Sequence, residues 1–378
     1  MVSNSKSIGA FFLLVRAGLF GRTEGIEDFL PDGVDWEKVC LLAEEQGVVG
    51  LIAEGIEIVG AEWLKIHGTP FVPADWALTL ACAALKLEQR NLDTNRFVAG
   101  LIDRLRREGI HVLLLKGPGL AQCYKKPLWR VCGDVDLLLG EADFQKAKDS
   151  LLPSASFSKE GNEYKKEFAV KIADWLVELH GSLRCGFSSG IDRELDQIYL
   201  DTFEGGYVRS WMNGEVPVFM LGKENEVFYV FVHFLNHFYK SGVGLKPICD
   251  WCRLLWTFRD SLDLSALEFR LKKTTLMSEW RAFGMFAVEY LGMPEDAMPF
   301  YCEDEKWRHK AKQILAFVLK TGNLGFNRRG KVSVNNLLAR KIKSSGQRIC
   351  NLSNHFTIFP IDTLRFFPSI FLNGLLQK

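Results

Sequence analysis

Two aspartates one residue apart, Asp134 and Asp136, end a turn and open an apolar run in the stretch Arg130-Val-Cys-Gly-Asp-Val-Asp-Leu-Leu-Leu139. A strand beginning there would carry both carboxylates on one face, because side chains alternate along it. Two carboxylates a few ångströms apart repel unless a cation lies between them, so the pair is costly alone and natural around a divalent metal. Hard oxygen ligands point to Mg2+ or Mn2+. A charged strand edge would spell the same triplet, so the neighbouring segments carry the argument.

Upstream, His111-Val-Leu-Leu-Leu-Lys116 is a short apolar strand that ends on a lysine. Gly117-Pro118-Gly119 then turns into a helix, with Pro118 near its first position. Free backbone N–H groups around Gly117 and Gly119 would meet Lys116 there, which suits a phosphate. Arg130, in the turn before the aspartates, offers a second positive charge; a solvated strand end and a surface turn are the plainer readings of these two cations. Downstream, Asp174-Trp-Leu-Val-Glu-Leu-His180 alternates, which places Glu178 and His180 on one strand face with Asp174 and Leu176. A third carboxylate on a neighbouring strand would complete a metal cage, and His180 beside it could assist proton removal, bind a ligand or serve structure alone.

This ordered set, Leu-Lys-Gly, then Gly-Asp-Val-Asp-Leu-Leu-Leu, then Val-Glu-Leu-His, resembles the polymerase-beta-like nucleotidyltransferase superfamily. Within it the chain is most similar to bacterial uncharacterised nucleotidyltransferases in which Lys-Gly replaces the usual Gly-Ser. The resemblance is clearest over residues 111–180 and runs more weakly through His233-Phe-Leu-Asn-His237 and Lys246-Pro-Ile-Cys-Asp250. It implies that Asp134 and Asp136 bind two metal ions and that Glu178 holds one of them near an attacking hydroxyl. Gly117 stands where the superfamily's triphosphate-contacting serine would be, so Lys116 is expected to act as a point charge on the phosphates, with Arg130 as the second. The resemblance also implies that a helical region closes over nucleotide and acceptor.

The elements that must position these groups follow from periodicity. Helical patterns cover Trp36 to Gln46, Val48 to Val59 and about 75–108, so residues 1–109 read as an N-terminal helical region. Residues 110–222 hold short β-rich runs at 111–116, 135–139, about 164–172, 174–180 and 216–221, with helical segments near 118–125 and 141–152. Helix returns over residues 223–378. The expected fold class is α+β, a nucleotidyltransferase-like mixed sheet core flanked by N-terminal and C-terminal helical regions. His233 and His237 stand four apart and share a helix face, and Lys246 and Asp250 repeat that spacing on the next helix. Two histidines so spaced could hold a metal, but no glutamate intervenes in the His-Glu-x-x-His manner, so lining of the cleft or packing as neutral histidines is the stronger reading.

A chain of 378 residues, 48% hydrophobic and 25% charged, can bury a sizeable core and is not of a disordered class. The apolar stretch from Ile8 to Phe20 is too short and interrupted to span a bilayer, and no small-residue cleavage site follows it, so it reads as a core helix in a cytoplasmic protein. Nine irregularly spaced cysteines, such as Cys82 within Leu80-Ala-Cys-Ala-Ala-Leu85, behave like small buried hydrophobes in a reducing compartment. Cys249 and Cys252 lack a second pair to make a zinc site and read as helix-packing thiols. From Lys306 to Lys378 fourteen Lys or Arg face one acidic residue, Asp362, although the whole chain carries only +1. That block would dock on the acidic remainder or meet an anion, and the apolar tail from Phe356 to Leu376 beside it would dock on the fold or make a peripheral membrane contact.

Together these residues predict a two-metal nucleotidyltransferase that moves a nucleoside monophosphate from an NTP, ATP included, to an acceptor hydroxyl with release of pyrophosphate. The acceptor, whether small molecule, sugar or protein, is not written in them; long nucleic acid is the less expected partner. A non-catalytic nucleotide-binding or scaffold module on the same fold is the rival reading. An Asp-x-Asp glycosyltransferase is a weaker one, because no series of βα units precedes the aspartates.

Overall fold

A computed structural model describes residues 2–322 and 355–366. Four helices come first: α1 (Val2–Phe20), α2 (Trp36–Gln46), α3 (Val49–His67) and α4 (Ala74–Arg107). Asp35 caps α2 by accepting from Lys38 N, and Gly47 at φ 67° ends it. Helices α1 and α3 cross where only hydrogen fits: a Cβ on Gly18 would lie 2.3 Å from Leu51 O, and one on Gly55 2.1 Å from Leu14 O. The helices expected in this region are all present, with α3 running about two turns past Val59, to His67.

A five-stranded sheet follows, built from β1 (Val112–Leu115), β2 (Val135–Leu139), β3 (Phe157–Glu160), β4 (Glu167–Ile172) and β5 (Trp175–His180). Its spatial order is β1-β2-β5-β4-β3, and β2–β5 is its one parallel pair. Parallel neighbours require a crossover, and the chain makes it through α6 (Glu141–Leu151), β3 and β4. The one-turn α5 (Gly117–Ala121) joins β1 to the loop before β2. After β5 come α7 (Ser189–Phe203), the hairpin of β6 (Val208–Asn213) and β7 (Val216–Leu221), and then the helices α8 (Lys223–Lys240), α9 (Leu245–Phe258), α10 (Leu264–Lys273), α11 (Met277–Leu291) and α12 (Glu305–Thr321).

Alternation divides the sheet. Val135, Leu137, Leu139, Val177 and Leu179 enter an apolar cluster with Leu101 and Leu105 of α4 and Leu151 of α6. The opposite face carries Asp136, Glu178 and His180 towards α8 and α9. A larger core runs from α1 through α8 and α9 to α12 and includes Leu113 and Leu138 from the sheet.

Strands β3 and β6 and helix α7 were not anticipated. All four β3 residues are exposed on the sheet edge, so no apolar period marks them. Cys82 is exposed on α4, contrary to the expectation of a buried thiol, because Leu80 and Ala84 form the buried side of that turn. Cys249 and Cys252 are buried free thiols in α9, as expected. Residues 355–366 dock on the helices: Phe366 stacks on Phe187 at 4.1 Å, and Arg365 Nη2 donates to Thr274 O at 3.0 Å. The rest of the apolar tail and most of the basic block lie outside the described residues. Among the described residues no helix is long and apolar enough to cross a membrane.

Candidate active site

Lys116 closes β1 at φ 53°, ψ −137°, and Gly117 follows at φ 51°. Positive φ costs a lysine on the order of 1–3 kcal/mol, and such strain persists where surroundings over-determine it. The twist sends the chain into α5 while Lys116 lines a cleft of about 470 Å³. That volume lies within the usual range of ligand pockets, roughly 300–1,000 Å³.

Asp136 and Glu178 are register partners across the parallel β2–β5 pair, which puts both carboxylates on the cleft face. His180, two residues along, shares that face. Asp136, Glu178 and His180 each offer a ligand atom within 4.8 Å of the others. Asp136 Oδ1 meets His180 Nε2 at 3.0 Å and Oδ2 meets Lys116 Nζ at 3.3 Å, while His180 Nε2 lies 3.8 Å from Glu178 Oε2. Asp134 lines the same cleft but falls outside this compact group. It precedes β2, whose pairing with β5 starts at Val135, so no strand register draws its side chain inward.

The electrostatics follow from this geometry. Burial opposes the charge on Asp136, but Lys116 and His180 outweigh it and hold the carboxyl at about 2. Asp134 and Glu178 are pushed up, first by burial and then by the Asp136 charge. Two carboxyls that resist ionising beside one that is charged form a donor set that suits a divalent cation.

Helices α8 and α9 make the facing wall. Lys116 Nζ approaches His233 Nε2 at 3.4 Å, and His237 Nε2 lies 3.2 Å from the same atom. Burial, then Lys116, pushes His233 well below its usual range and His237 down to about 4, so both are neutral. Lys246 lines the cleft from α9 and forms no salt bridge among the described residues. Arg130 is engaged: Nε and Nη2 meet Asp250 Oδ1 and Oδ2, both at 2.7 Å, and Nη1 donates to Gly117 O at 3.1 Å. Tyr124 OH also donates to Asp250 Oδ1, at 2.7 Å.

Residues 32–292 match the model of a family described as uncharacterised nucleotidyltransferase. The chain belongs to this family. No curated protein matches it. An antigenic nucleotidyltransferase-like protein from Paracoccidioides brasiliensis, known from its crystal structure, is 16% identical, with 49% of this chain and 90% of that one covered at a TM-score of 0.30. That likeness is too low to carry an argument.

Among the site residues expected from the sequence, the cleft gathers Lys116, Gly117, Arg130, Asp134, Asp136, Glu178, His180, His233, His237, Lys246 and Asp250. Gly119 does not line it; a Cβ there would lie 2.2 Å from Met220 Sδ, so this glycine serves close packing of α5 on β7. Helix α5 has five residues, all buried, too short for the dipole-assisted phosphate cradle expected after Lys116. Arg130 is not the free phosphate-binding charge that its place in the turn suggested, because Asp250 already neutralises it.

Three contributors escaped the sequence reading. Asn91 of α4 donates through Nδ2 to Leu128 O and Arg130 O, each at 2.7 Å, and so fastens the loop before the aspartates. A Cβ on Gly50 would lie 1.8 Å from Trp129 O, so α3 supports the same loop. Nothing in the sequence pairs residues so far apart. Tyr229 lines the cleft one turn before His233, and the spacing 229, 233, 237 was the signal that could have found it.

Proposed function

We propose that this chain transfers a nucleoside monophosphate from an NTP to an acceptor hydroxyl and releases pyrophosphate. The observation that carries the reading is the meeting of Asp136 and Glu178 on paired strands, beside Lys116 and across the cleft from Lys246, in a family of nucleotidyltransferases. Asp134, Asp136 and Glu178 would hold Mg2+ or Mn2+, which when bound neutralises phosphate charge and acidifies the acceptor hydroxyl. Lys246, which forms no salt bridge among the described residues, is assigned to the phosphates, with Lys116 joining it. Glu178 faces the acceptor side, and His180 orients Asp136 through its Nε2–H. The neutral His233 and His237, with Tyr229, close the wall over the nucleotide. The chain's own residues mainly position and neutralise charge.

The test is mass spectrometry of products after incubation with each NTP, Mg2+ or Mn2+, and cell extract as acceptor source. Mass gains of one nucleoside monophosphate that vanish in Asp136→Asn are expected. Metal-dependent nucleotide binding without turnover over a wide acceptor screen would replace this reading with a nucleotide-binding module.

A further inference from the structure

Both oxygens of Asp136 are occupied by protein groups, Oδ1 by His180 at 3.0 Å and Oδ2 by Lys116 Nζ at 3.3 Å. The ammonium is held from the other side by His233 Nε2 at 3.4 Å, which also faces His237 Nε2 and is neutral. Its backbone is strained at φ 53°, so the contact is not one that a relaxed surface lysine falls into by chance. A divalent ion on Asp136 Oδ2 would lie within a few ångströms of this ammonium, and like charges at that separation repel strongly in a partly dry cleft.

We infer that Lys116 is the resident counter-ion of the carboxylate cluster, which keeps free divalent metal out until a polyphosphate takes the ammonium. Displaced alone, the ammonium would give up its contact with Asp136 and meet a facing wall of Lys246 and two neutral histidines, while the ion drew on Asp134 and Glu178, the carboxylates nearest to it. The phosphates of an incoming nucleotide supply that anion, and the four-carbon stem lets Nζ move without disturbing β1. Metal and nucleotide therefore bind with positive coupling, each favouring the other. This deepens the nucleotidyl-transfer reading and rests on it.

The test measures Mn2+ binding to the full chain by titration calorimetry and thermal unfolding, for wild type and Lys116→Met, with and without a non-hydrolysable NTP analogue. Wild type should bind Mn2+ weakly alone, and its melting temperature should rise only when ion and analogue are both present. Lys116→Met should bind Mn2+ alone about tenfold or more tightly than wild type, as removal of a unit charge at contact distance requires. Equal affinities in the two proteins would overturn the inference while leaving the metal site intact. Failure of both to respond to Mn2+, even with the analogue, would instead overturn the metal-dependent reading. Should Lys116→Met not fold, the wild-type melts decide: an equal rise with Mn2+ alone and with Mn2+ plus analogue sinks the counter-ion role.

Discussion

The Arg130 guanidinium meets the Asp250 carboxylate edge to edge, with both hydrogen bonds at 2.7 Å and both side chains about 5% exposed. One residue precedes the aspartates and the other lies on α9, so this pair ties the sheet side of the cleft to its helical wall. Arg130→Ala would leave a buried carboxylate unpaired and should cost roughly 3–5 kcal/mol in a denaturant melt. Arg130→Met with Asp250→Leu should recover most of that loss. A double variant no more stable than the single one would show that the pair does more than balance charge.

Asp136→Asn tests the catalytic reading and the apo electrostatics together. Transfer should fall by several orders of magnitude. Repulsion between the aspartates suggests that the change stabilises the metal-free fold, but Lys116 and His180 both lose their anionic partner, so stability should fall, by about 1–3 kcal/mol. Thermal melts in EDTA check the sign.

Asn91→Ala removes two hydrogen bonds that hold the loop over residues 128–130. A stability loss of about 1–2 kcal/mol is expected, with turnover lowered several-fold while nucleotide affinity changes little. An unchanged turnover would remove Asn91 from the positioning of the aspartates.

Glu279 of α11 is fully buried, Tyr239 OH donates to its Oε1 at 3.2 Å, and Oε2 has no hydrogen-bond partner among the described residues. Burial, then Asp362, pushes its carboxyl up to about 8 from an ordinary 4.5. The folded chain keeps a proton there that the unfolded chain releases. The stability from this group is therefore complete below about 4.5 and is lost as pH rises through 8. Glu279→Gln carries no titrating group, so its stability should fall less between pH 5 and pH 8, by on the order of a few kcal/mol. Parallel stability–pH curves for the two proteins would contradict a protonated Glu279.

The sequence by itself determined the helices α2 and α4, the strands β1, β2, β5 and β7, and Asp136 and Glu178 as candidate carboxylates on strand faces, because these rest on local periodicity and motif order. It could not see β3, whose residues are all exposed, nor the β2–β5 register that sets Asp136 beside Glu178 and leaves Asp134 at the mouth. Tertiary structure alone decided that Arg130 is spent on Asp250, that Gly119 packs on Met220, and that Lys116 rests on Asp136. Each of these is a contact between residues far apart in the chain, and which partner a buried charge finds depends on what packing brings within hydrogen-bond reach. Residue type fixes the charge a side chain can carry; the fold fixes whether that charge is free to meet a ligand.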